Sequence, residues 1–169
     1  MAVGQVSSIT GDKWQLIATN TPTSGTSSSF TSLSGYKKYK LVWDSVIVSA
    51  SSFYSLVVTF NGSTTKYAAG TSVFNDNSES NNSVSDVKIP LYPYTYNDTR
   101  TNGWLDIDNA LEAIPKTVNG YGYGTNTGYL VRLEGGWYDT AAITSIAVST
   151  WSGSATFTSG NIKLYGIAE

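Results

Sequence analysis

Hydrophobic and polar positions alternate in short runs along most of this chain, which is the signature of strands with one buried and one solvated face. Residues 14–19 place Trp14, Leu16 and Ala18 on one side and predict a first strand. In residues 36–44, Tyr39, Leu41 and Trp43 face one way, and Lys38, Lys40, Val42 and Asp44 the other. The lysines read as a charged outer face that blunts edge pairing, with a basic patch as the alternative. Leu56, Val58 and Phe60 then point inward ahead of Asn61-Gly62. That pair tolerates the positive φ values of a type I′ turn, so a hairpin is predicted through Tyr67. Val87, Ile89 and Leu91 alternate next, and Pro90 marks an edge strand or a strand end. Further strands are predicted at 129–134, 143–150, 155–158 and 162–167.

The segments between these runs carry other signals. Residues 1–11 are small and polar and read as an arm. Residues 21–34 are nearly all Thr, Ser, Gly and Pro, a loop with room for a short strand at 30–33. The polar insert at 74–85 offers oxygen ligands at 75, 77 and 79, but it lacks the Gly and closing Glu of an EF-hand loop and is read as solvated loop. Tyr92-Pro93-Tyr94-Thr95-Tyr96 cannot be helical and either caps the core or presents tyrosines to a partner. In residues 104–115 a strand through Ile107 is expected to give way to a helical turn or two. Ile107, Leu111 and Ile114 have helical spacing there, Asn109 and Glu112 resemble a capping box, and Pro115 is a stop. Residues 121–128 read as a flexible Gly and Tyr loop. Eight or more short strands with at most one short helix make an all-β domain over 12–169, as a two-sheet β-sandwich, jelly roll or barrel.

Composition narrows the chemistry. Among 169 residues there is no His and no Cys, so imidazole- or thiol-based nucleophilic sites, ordinary zinc sites and Cys-ligated clusters are excluded. Neither a cofactor nor a metal is expected. Only 13% of residues are charged, whereas Ser and Thr supply 45 positions, which favours strands and turns over helices. Ten Lys and Arg against twelve Asp and Glu give no footprint for nucleic acid. Residues 1–17 lack a signal-peptide pattern and no apolar run approaches the ~20 residues of a membrane span, so a soluble protein made in the cytoplasm is expected.

The last third carries a resemblance. Trp137 is followed by Ala142, Ile143 and Ile146, then by Phe157, Gly160 and the ending Leu164-Tyr165-Gly166-Ile167. In this order they resemble the close of a broad group of tailed-bacteriophage virion proteins, and the Trp14, Tyr36 to Val42 and Phe60-Asn61-Gly62 elements fall in the group's usual sequence. The resemblance implies a jelly-roll-like sandwich displayed in the virion as a capsid decoration (cement) protein, head fibre or tail part. It also implies a homotrimer touching the major capsid protein or other virion proteins. No catalytic residue comes with it. Phe157, Leu164 and Ile146 are expected in the core, Gly160 and Gly166 at turns or close approaches, and Trp137 at a sheet edge.

Three functions follow from different classes. A structural virion protein fits a chain rich in hydroxyls and aromatics, because aromatics are enriched in interface cores. A carbohydrate-binding receptor module would use Tyr92, Tyr94, Tyr96, Trp104, Tyr121 and Tyr123 to stack on a host-surface glycan. A two-carboxylate glycosidase would rest on Asp106 and Asp108, which share a face of a strand, and solvated outer positions are the preferred reading of both. The reading favoured is the non-enzymatic virion protein, with capsid decoration ahead of a tail or head-fibre adhesin.

Overall fold

The structure, a computed structural model, describes residues 13–49, 54–75, 78–84, 88–95, 99–125, 128–151 and 153–169. The expected arm at 1–11 and the core position Val87 lie outside them. Twelve strands are present among the described residues, β1 (Gln15–Asn20), β2 (Ser27–Phe30), β3 (Tyr36–Ser49), β4 (Tyr54–Phe60), β5 (Tyr67–Asn75), β6 (Ser78–Val84), β7 (Ile89–Thr95), β8 (Thr101–Asp108), β9 (Lys116–Gly124), β10 (Leu130–Trp137), β11 (Ile146–Thr150) and β12 (Thr156–Ala168). They form an eight-stranded sheet in the order β1-β12-β3-β8-β9-β10-β5-β6 and a four-stranded sheet in the order β2-β11-β4-β7, with every pairing antiparallel. The chain is an all-β sandwich, with the inner faces of both sheets sharing one hydrophobic core.

The alternation read from β3 and β4 holds: Tyr39, Leu41, Trp43, Leu56, Val58 and Phe60 are all buried. Pro90 sits on β7, the last strand of the small sheet, where its missing N–H costs no ladder bond on the open side. Ile146, Phe157 and Leu164 are in the core as expected.

Several expectations need correction. β4 and β5 do not form a hairpin. Asn61 and Gly62 do adopt positive φ (52° and 67°), but the chain leaves the small sheet at Phe60 and enters the large one at Tyr67. The Asn61 side chain turns this corner by reaching a distant loop. Its Nδ2 donates to the Ala142 carbonyl (2.8 Å), and its Oδ1 accepts from the Thr144 and Ser145 amides (2.8 and 3.0 Å). Replacing Asn61 with Ala removes these bonds and should cost about 2 kcal/mol, measured by urea unfolding.

The polar insert is not a loop throughout, because residues 78–84 form β6 and pair along β5 from Asn75↔Ser78 to Ala69↔Val84. Backbone pairing at a sheet edge requires no apolar side chain, so the sequence carries no mark of it. The predicted helical turn is likewise absent: Asn109 takes φ 62°, which breaks right-handed winding at its first residue, and residues 109–115 form a bend. The short strand lies at Ser27–Phe30 instead of 30–33. The two last predicted strands are one, β12, whose register shifts near Ser159. There Gly160 has φ 106°, and a Cβ would lie 2.4 Å from the Val46 Cα, so the bulge exists only with glycine. Gly166 is a close approach too, pressed against the Tyr36 ring. Trp137 lies on β10 between β9 and β5, away from a sheet edge, and stacks with Tyr67 and meets Phe60 edge-on (centroids 6.1 and 5.8 Å). Ile143 is buried but precedes β11. In β1 a bulge between Leu16 and Ala18 breaks the alternation, leaving Leu16 exposed while Ile17 and Ala18 pack on the core.

Two buried phenols differ in a testable way. The Tyr39 hydroxyl has no partner among the described residues, whereas that of Tyr67 accepts from the Phe60 amide at 2.8 Å. Burial pushes both pKa values up from 10.0 to about 12. A phenol that stays protonated in the folded chain after it has ionised in the unfolded one favours folding below pH 10. That contribution drains away as pH rises through about 12. Unfolding free energy is therefore expected to fall across this alkaline window, and to fall less in a Tyr39→Phe/Tyr67→Phe variant. At pH 7, Tyr39→Phe should be within about 1 kcal/mol of the parent, because no hydrogen bond is lost.

Candidate binding face

β9 reads Lys116-Thr117-Val118-Asn119-Gly120-Tyr121-Gly122-Tyr123-Gly124, and its burial alternates strictly. The glycines point into the sandwich and the tyrosines out. This segment is a strand in the interior of the large sheet, not the flexible loop expected for 121–128. Its inward glycines answer to crowding. Gly122 lies directly opposite Gly103 of β8, which is opposite Trp43 of β3, and the Trp43 indole occupies the space over both. A Cβ on Gly103 would come within 2.3 Å of that indole, and one on Gly122 within 2.5 Å of the Leu91 carbonyl on β7.

From Gly120 to Gly124 nothing but glycine points inward, so the side-chain mass of this half of β9 lies on the solvent face. Trp104 is opposite Tyr121, their ring centroids 5.7 Å apart, and Tyr121 is opposite Arg132. One step along, Asn102, Tyr123 and Leu130 form the next cross-strand row. Tyr121, Tyr123 and Leu130 are 40, 43 and 42% exposed. Towards β3, Lys40 Nζ lies 5.0 Å from the centres of both the Trp14 and Trp104 rings, a cation held between two aromatic faces.

The charges flanking the strip are matched in three pairs. Lys38 meets Asp108 at 2.8 Å, Lys40 meets Asp106 at 3.2 Å, and Arg132 pairs with Glu134. Asp106 and Asp108 do share the outer face, as their spacing predicted, and each is engaged by a lysine of the neighbouring strand. Among the described residues no group of three acidic side chains is placed to hold a metal ion.

The six aromatic candidates thus divide. Trp104, Tyr121 and Tyr123 come together on the outer face. Tyr92 is fully buried and belongs to the core. Tyr94 lies in β7, and Tyr96 lies outside the described residues. Sequence reasoning missed Trp14, Lys40 and Leu130 as neighbours of the strip. The Gly-Tyr alternation was the signal for β9, once glycine is allowed to be the buried partner. Tyr165, from the C-terminal motif, belongs to the same sheet, opposite Lys40 on β3 and Leu16 on β1.

At the far end of β9, Lys116 is buried, and its ammonium donates to the Glu112 and Ile114 carbonyls (both 2.6 Å), with the Thr140 carbonyl at 3.5 Å. Burial pushes its pKa down, against the opposing pull of Asp139 and Glu112. Nearby, Asp139 is held below the usual carboxylate range first by its bond from Lys66 (2.8 Å) and also by the Ala141 amide. With the Ile143 amide's bond to the Ala110 carbonyl (2.8 Å), these contacts tie loops 109–115 and 138–145 together at the end of β9 away from the strip.

The face offers aromatic rings, amides and neutralised charges on a rigid sheet, which suits adhesion. Compared with known proteins, the chain matches no protein-family model and no curated protein.

Proposed function

We propose that this chain is a non-enzymatic structural protein of a tailed-bacteriophage virion, acting as a capsid decoration protein that lies on the head surface and stabilises the particle. The observation that carries the reading is strand order. Setting aside the added hairpins β5–β6 and β9–β10, the sheets run β1-β12-β3-β8 and β2-β11-β4-β7. The first and last strands are neighbours, and most successive strands switch sheets, which favours jelly-roll winding, an architecture that recurs in viral capsid proteins. The C-terminal residues resembling virion proteins support the same reading, since they build β11 and β12, each flanked by strands on both sides. Fold alone does not define function, so it is the strand order and the motif together that favour a virion role.

In this reading the protein is a homotrimer bound to the major capsid protein. The test uses phage particles grown without the gene. Added purified protein should sediment with the heads and raise the temperature at which they release DNA. Failure to bind the heads, with the folded protein free in the supernatant, would count against the proposal.

A further inference from the structure

We propose that the outer face of the large sheet, at Trp104, Tyr121 and Tyr123, binds a neutral oligosaccharide. The proposal holds whether or not the chain is a virion component.

Ring geometry comes first. Trp104 and Tyr121 are side by side across strands, tilted 58° to each other, and Tyr123 follows two residues along β9, about 7 Å away on the same face. Such steps are on the scale of a single sugar ring, whose C–H faces pack on aromatic faces while its hydroxyls reach sideways. The sideways partners are present: Asn119 belongs to the neighbouring cross-strand row, and exposed Arg132 stands opposite Tyr121. The rings are also held in place. Lys40 is fixed between Trp104 and Trp14 and paired with Asp106, so Trp104 needs little ordering when a ligand arrives.

Charge and area select the occupant. Lys38, Lys40 and Arg132 are cancelled by Asp108, Asp106 and Glu134, so the charges beside the three rings give little pull on a nucleic acid, an acidic lipid or a polyanionic sugar. The four side chains Trp104, Tyr121, Tyr123 and Leu130 expose together on the order of 300 Å², well short of the ~800 Å² per partner of a stable protein interface. A few sugar rings would cover that strip, and a second copy of the chain would not be held by it.

The test is isothermal titration and tryptophan fluorescence of the full chain. The probes are neutral hexasaccharides of glucose, galactose, mannose and N-acetylglucosamine. At least one should bind with a dissociation constant of 1 mM or tighter. Tyr121→Ala and Tyr123→Ala should each weaken it tenfold or more, while Tyr138→Ala, an exposed tyrosine elsewhere, leaves it unchanged. Both strip variants replace solvent-facing side chains, and unchanged melting curves would show them folded. No binding by any of the four probes would overturn the proposal, as would binding indifferent to both strip variants. A concentration-dependent oligomer abolished by Tyr121→Ala in sedimentation velocity would also overturn it, in favour of a second copy.

Discussion

Replacing Gly103 with Ala is expected to destabilise the protein by about 3 kcal/mol, a fall of roughly 10 °C in melting temperature. Trp43, Gly103, Gly122 and Val131 are successive neighbours across β3, β8, β9 and β10 on the inward side. The Trp43 indole lies over the two glycines, and an added methyl on Gly103 would come within 2.3 Å of it and 2.2 Å of the Tyr121 carbonyl. Neither can retreat, because the indole is 1% exposed and the carbonyl is part of a strand backbone. Gly70 on β5 is the control: it lies in the same sheet with nothing within 4 Å of its virtual Cβ. Gly70→Ala should change stability by less than about 1 kcal/mol and can stabilise by restricting the unfolded chain. Thermal melts of the two variants read the difference directly. Equal melting temperatures would mean that the inward row is looser than described.

The second large effect is expected at Lys116. Lys116→Met keeps the length and apolar stem of the side chain but leaves the Glu112 and Ile114 carbonyls without their charged donor. Hydrogen bonds to a charged group contribute about 1.5–3 kcal/mol each, and stranded buried acceptors add their own cost. Allowing for partial access of water to the carbonyls, the loss should be about 3 kcal/mol in urea unfolding. Arg at this position should not restore stability, since a planar fork does not match carbonyls converging on one point. Hydrogen exchange offers a sharper view: residues 109–115 should lose protection in Lys116→Met more than residues 138–145, which the Ile143 amide still ties to the Ala110 carbonyl at 2.8 Å.

These sites show why some of the fold was legible in the sequence and some was not. Tyr39, Leu41 and Trp43 could be read because β3 buries one face with large side chains and solvates the other. The same rule misreads the second half of β9, where the buried face is glycine and the exposed face aromatic, so the hydrophobic signal points outward. It is silent over β6, whose pairing with β5 is made by backbone groups. Asn61-Gly62 marks a turn in the sequence and forms one in the structure, yet its geometry does not say which strand lies beside the next one. That is decided by Ala142, Thr144 and Ser145, some 80 residues away in sequence. The candidate face was half legible for a related reason. Trp104, Tyr121 and Tyr123 stood out as aromatics, but their separation from buried Tyr92 needed the sheet order.

The binding role proposed for the chain and the stacking strip proposed on its outer face are separable. A decoration protein can hold the head through other surfaces while the strip meets sugar, and either can fail alone.

The most direct test of the virion role is quantitative mass spectrometry of purified particles, with the chain counted against the major capsid protein. A fixed ratio corresponding to hundreds of copies per particle is the expected result. Its absence from purified particles, with the protein accumulating only in the lysate, would contradict the virion assignment.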